Sequence, residues 1–227
     1  MSETPAPRES DFVTGETRRD QALELAARVA SMVPWLGGPV STILSGQAFG
    51  RRMERVEDVL KGVAADLHEF RSDASEQYVR TDEFQELFEA ALRKAADERN
   101  ADRRQVYRSF IVNAIRTPGS YDERLRALRL LDELEPDHLA VLAALARDPG
   151  LIDSHGVGSI GQTLGERLGQ PLTRERLTAV VGDLTARHLI STIQERLHTT
   201  MTARGAQDLR NAVTPLGYEL LGLVTRD

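Results

Sequence analysis

Residues 29–50 read VASMVPWLGGPVSTILSGQAFG, twenty-two positions without a charge between Arg28 and Arg51. Charged residues make up 28% of the chain, so the gap needs a physical reason. Either the segment enters a bilayer or it turns inside a soluble bundle. Crossing a hydrocarbon core takes about 20 predominantly apolar residues. The run has that length, but only half of it is apolar and PWLGGP stands at its centre. Two prolines without donors around two glycines interrupt a helix there. The expected structure is a turn between bundle helices. The alternative is an interfacial hairpin, with Trp35 and Leu36 at a membrane boundary and Gly46 and Gly50 permitting close helix contact.

On the N-terminal side, Thr17 can cap a helix over about 18–33, with Leu25, Val29, Met32 and Val33 along one side and Pro34 as its stop. On the C-terminal side, Phe49, Met53, Val56, Leu60, Val63, Leu67 and Phe70 recur at alternating spacings of four and three, an a/d seam over about three heptads. Burying each such side chain stabilises by roughly 1.5–3 kcal/mol. The seam must therefore pack against something, either within the chain or on a second copy, and a homodimer through this seam is the expectation. Phe84, Leu87, Phe88, Ala91, Leu92 and Ala95 mark a further amphipathic helix. Val106, Tyr107, Phe110, Ile111, Ala114 and Ile115 mark another, ending at TPGS.

Composition narrows the class. With 41% hydrophobic and 5% aromatic residues, the 227-residue chain can bury a sizeable core. The absence of cysteine excludes disulfides, thiolate metal sites and cysteine nucleophiles. The opening MSETPAPRESDFVTGE has no apolar core or basic amphipathic pattern, so a cytoplasmic protein is expected. Only Lys61 and Lys94 are lysines, an arginine bias of the kind GC-rich bacterial genomes impose. Formal net charge is −6, which disfavours nucleic-acid binding by bulk charge and requires a local patch instead.

The C-terminal third changes pattern. SIGQTLGERLG reads as a short helix, QPLT as a turn, RERLTAVVGDLTAR as a longer helix, and HLISTIQERL as an extended segment. Thr214 and Pro215 then cap a last helix, LGYELLGLV. That order belongs to a winged helix. LTRERLTAVVGDLTARHLIS resembles the recognition helix and first wing strand of bacterial winged-helix domains, with His188 where "GLI" usually has glycine, and TPLGYELL resembles their end. If such a helix enters the major groove, Thr173, Arg174 and Arg176 lie at its start, while Arg187, Arg196 and Arg204 can meet phosphates. Residues 164–210 carry seven arginines against five acids.

GVGSIG at 156–161 has the letters of a dinucleotide fingerprint without the preceding buried strand and βαβ context that give it meaning. His68, His138, His155, His188 and His198 are scattered and form no ligand pair at helical spacing. No catalytic residue, metal site or cofactor is expected.

The fold expected is mainly α: a mobile tail over 1–16, a helical bundle over 17–117, connecting helices over 118–150 with Ser120 and Pro136 at helix starts, and a winged helix with a small β-hairpin wing over 151–227. The apolar hairpin, EFQELFEAALRKAADERNADRRQVYRSFIVNAI, RALRLLDELEPDHLAVLAALA and a winged-helix-like end follow one another in an order that resembles the bacterial abortive infection alpha proteins, formerly a domain of unknown function. The resemblance implies a role in phage defence, with no catalytic residue to carry over. The residues themselves lead to the expectation of a non-enzymatic regulatory or defence-associated interaction protein that self-associates through its helical domain and contacts DNA or a protein partner through the winged helix. The alternative is a membrane-perturbing effector acting through residues 29–50.

Overall fold

The computed structural model describes residues 20, 23–46, 52–70, 72–146, 164, 168, 172–191 and 211–225. The expected tail, Phe49, Arg196, Arg204, His155, His198 and GVGSIG lie outside them. The chain is mainly helical. It divides into two compact units, one ending at Leu128 and the other running Arg129–Thr225. The division falls inside a helix, Tyr121–Glu133, whereas the sequence reading set its boundary at 117–120.

In the first unit, helix α1 (residues 23–32) leads into a single 3-10 turn, Pro34–Leu36, and then α2 (Gly37–Gly46). Helix resumes directly at the glycines, because Pro39 falls in the first turn of α2, where its missing N–H has no partner to lose. A Cβ on Gly37 would sit 2.4 Å from that of Ala30, so the arms meet where only glycine fits. Val29, Val33, Leu36 and Val40 are almost fully buried. Residues 29–46 of the uncharged run thus span a helical hairpin whose Val29, Val33, Leu36 and Val40 are packed into the protein, with Met32 exposed.

Helices α3 (Met53–Leu67), α4 (Asp73–Tyr78), α5 (Asp82–Asp97) and α6 (Ala101–Arg116) complete this bundle before α7 (Tyr121–Glu133). α3, α5 and α6 pack on one another. Val56, Leu60, Val63 and Leu67 have no exposed surface, while Met53 and Phe70 are half-buried. Val59, Gly62 and Ala64 are buried too, which makes the apolar face wider than a coiled-coil seam because α3 touches two helices at once. The chain itself thus covers Val56, Leu60, Val63 and Leu67, and leaves Met53 and Phe70 as partly exposed positions of the expected dimer seam.

Gly62 has a specific task. A Cβ there would lie 2.5 Å from the Arg108 guanidinium, which crosses α3 to donate twice to Asp66, at 2.8 and 2.7 Å. Phe84 and Phe88 stack with centroids 5.4 Å apart, and Tyr78 meets Phe84 edge-on. α4 lies between the spacings that mark α3 and α5, where the sequence reading names no helix. Ser72 and Thr81 cap α4 and α5, accepting the Ser75 and Phe84 N–H groups.

At the α5–α6 junction, Arg55 donates to the Ala96 carbonyl at 2.8 Å and Arg104 to that of Arg99 at 2.9 Å, meeting carbonyls that the end of α5 leaves open. Glu98 accepts from the Asn100 N–H and from Arg103. Burial pushes its carboxyl up, but those two partners outweigh it and hold the group below the usual range.

Two outcomes follow. Leu60→Ala should lower unfolding free energy by about 2–5 kcal/mol in urea titrations, and an unchanged midpoint would contradict its packed position. Because folding makes Glu98 more acidic, its stabilisation is complete above its ordinary value of 4.5 and is lost as pH falls through the lower folded value. Glu98→Gln should therefore melt earlier than the wild-type protein at neutral pH, and the two curves should converge in acid.

Candidate nucleic-acid interface

The second unit holds α8 (Pro136–Ala146), α9 (Arg174–Ala186) and α10 (Pro215–Val224). α8 packs against both others, so it belongs with them rather than to a connecting layer. Thr173 caps α9 by accepting the Arg176 N–H at 3.2 Å. Leu177, Val180, Val181 and Leu184, spaced for one helical face, are buried.

The end of α9 explains why glycine is usual where His188 stands. His188 has φ 58°, the left-handed region that costs an ordinary side chain about 1–2 kcal/mol. The Leu189 N–H reaches the Leu184 carbonyl and the His188 N–H reaches that of Thr185, each at 3.0 Å. This pair of bonds is a Schellman turn, and Leu184 and Leu189, both fully buried, supply its apolar contact.

The turn delivers the chain to an antiparallel bridge, Ile190 with Val213. The described residues contain no β-strand, so the expected wing is represented only by this bridge. Thr214 closes the arrangement. Its hydroxyl donates to the His188 carbonyl at 2.7 Å and accepts the Gly217 N–H at 3.1 Å, capping α10. A Cβ on Gly217 would come within 2.3 Å of the Leu189 carbonyl. HLI and TPLG, separate phrases in the sequence, thus form one junction.

The arginines expected at a DNA surface are not presented alike. Arg174 is exposed. Arg176 donates through Nε to Asp137 at 2.8 Å and through Nη2 to Glu135. Hydrogen bonds to these two carboxylates, Asp137 first, push its pKa above the ordinary value. Arg187 donates through Nε to Glu133 at 3.4 Å, with Nη1 3.9 Å from Asp183. Among the described residues around α9, three arginines therefore stand among five carboxylates: Glu133, Glu135, Asp137, Glu175 and Asp183. Sequence reasoning counted charge only from residue 164 onward and so missed the three acids before it, although they alternate within LLDELEPDHLAVL.

His138 is also placed by the structure rather than by the pattern. It is 4% exposed. Its Nδ1 accepts the Glu135 N–H at 3.1 Å, which leaves the ring proton on Nε2 to donate to Asp183 at 3.2 Å. The side chain caps α8 and ties it to α9. Among the described residues, no three His, Asp or Glu side chains could hold a metal ion.

The residues of the membrane alternative lie elsewhere. Leu36 has no exposed surface and Trp35 is half-buried with its indole N–H enclosed. No helix among the described residues is long and apolar enough to cross a membrane. Exposing Leu36 would require the hairpin to open.

Compared with protein-family models, curated proteins and solved structures, the chain matches none.

The junction can be tested by opposite substitutions. His188→Gly should raise stability by about 1 kcal/mol by relieving the left-handed residue, whereas Gly217→Ala should lower it by about 1–3 kcal/mol through overpacking. Thermal melts followed by circular dichroism separate the two, and a stabilising Gly217→Ala would contradict the close approach to Leu189.

Proposed function

We propose that the chain is a non-enzymatic regulatory interaction protein whose C-terminal unit is a winged helix, with α9 as the recognition helix and residues 190–213 as its wing. One observation carries the reading: the Schellman turn at His188 sends the chain from α9 into antiparallel pairing with Val213, directly before the capped α10. α9, the bridged segment and α10 support the order expected of the recognition helix, wing and closing helix. In this reading double-stranded DNA is the partner, met by Thr173 and Arg174 at the start of α9 and by Arg176, Arg187, Arg196 and Arg204 at phosphates. The likeness in feature order to abortive infection alpha proteins supports phage defence as the setting.

A protein partner is the second reading. It is favoured by the outer side of α9, where Thr178, Ala179, Gly182 and Ala186 are small and Glu175 and Asp183 are acidic. Such a surface admits close helix contact better than it reads bases.

Fluorescence anisotropy of a labelled mixed-sequence duplex discriminates between them. DNA contact predicts binding that weakens as salt rises, with Arg174→Ala reducing the slope of log affinity on log salt by about 0.9, the loss of one phosphate contact. Absence of salt-sensitive binding both by the wild-type protein and by a Glu135→Gln/Asp137→Asn variant, in which Arg176 loses its two carboxylate partners, would remove the DNA reading and leave the protein partner.

A further inference from the structure

The corner between α7 and α8 presents Glu133, Glu135 and Asp137 at alternate positions, and all three carboxylates meet arginines at the two ends of α9. Leu134, 1% exposed, anchors the corner. Its backbone is fixed by the Glu135 N–H donating to His138, whose other ring nitrogen holds Asp183 of α9. From this platform Asp137 and Glu135 engage Arg176, and Glu133 engages Arg187.

These are carboxylate oxygens on guanidinium groups, the chemistry by which arginine also receives phosphate. We propose that the acidic corner is an autoinhibitory contact: it occupies the phosphate-binding arginines of α9 as an internal mimic of the nucleic-acid backbone, and DNA must displace it to bind. The proposal rests on the DNA reading above.

Exposure makes the exchange feasible. Arg176 is 35% exposed, Glu135 61% and Asp137 39%; Arg187 is 29% exposed and Glu133 59%. Ion pairs so open to solvent stabilise a fold by only about 0–1 kcal/mol, so a phosphate can replace a carboxylate without dismantling the unit. The buried contacts of His138 and Leu134 hold the corner in place meanwhile. Neutralising the corner should therefore change binding more than folding.

The test uses the full chain, a fluorescein-labelled mixed-sequence duplex and four proteins: wild type, Glu135→Gln/Asp137→Asn, the same pair with Arg176→Ala, and a charge-matched control at the exposed start of α7, Asp122→Asn/Glu123→Gln. Release of Arg176 should tighten binding roughly tenfold at low salt and steepen the salt slope by about 0.9. The gain should vanish when Arg176→Ala is added, and the control should gain much less. Melts monitored by circular dichroism verify folding, and Glu135→Gln alone replaces the pair if the pair does not fold. If wild type binds and the released variant binds no tighter, or the control gains as much, the autoinhibitory contact is overturned while the DNA reading stands. If neither wild type nor the released variant shows salt-sensitive binding, the DNA reading falls and the contact with it.

Discussion

One backbone residue in the left-handed region decides where the chain goes after α9. His188, at φ 58°, lets Leu189 turn back onto Leu184, and only then can Ile190 pair with Val213 and Thr214 reach the His188 carbonyl. Gly217 completes the constraint, because a Cβ there would collide with the Leu189 carbonyl that the turn has just positioned. The conformational cost of a histidine in this position is offset by a hydrogen-bonded cap, a buried leucine pair and the start of α10. Every described element of the second unit after α9 depends on that geometry.

Electrostatics in the same unit follow placement more than composition. The arginine excess of residues 164–210 promises a basic surface, but acids from the end of α7 and the start of α8 fold onto it. Arg176 consequently faces Asp137 and Glu135 before it faces anything in solution. A local charge count over a stretch of sequence leaves out what packing brings alongside, and among the described residues here the three omitted carboxylates change three arginines against two acids into three against five.

In the first unit the arginines act as architecture. Arg55 and Arg104 meet open carbonyls after α5, and Arg108 spans α3 to Asp66 over Gly62. The planar guanidinium, with donors on several edges, suits such bridging better than a lysine ammonium does. An arginine-rich composition therefore need not signal nucleic acid. The helical hairpin fits the same economy: its uncharged stretch faces the bundle, and the close contact of Gly37 with Ala30 lets its arms approach.

Helix positions were legible in the sequence where periodicity was strong and caps were chemically explicit: the apolar spacing of α3, α5 and α6, and Thr214 with Pro215 before α10. Those signals are local, since they depend on side-chain period and on hydroxyls beside unsatisfied N–H groups. α4 escaped because six residues with one buried side chain, Ser75, carry almost no period. Whether Val56, Leu60, Val63 and Leu67 are buried within the chain, whether Val29, Val33, Leu36 and Val40 are covered, and which carboxylates Arg176 and Arg187 meet were decided only by tertiary structure. Each depends on groups far apart in sequence arriving within a few ångströms of one another, and neither periodicity nor local charge encodes that.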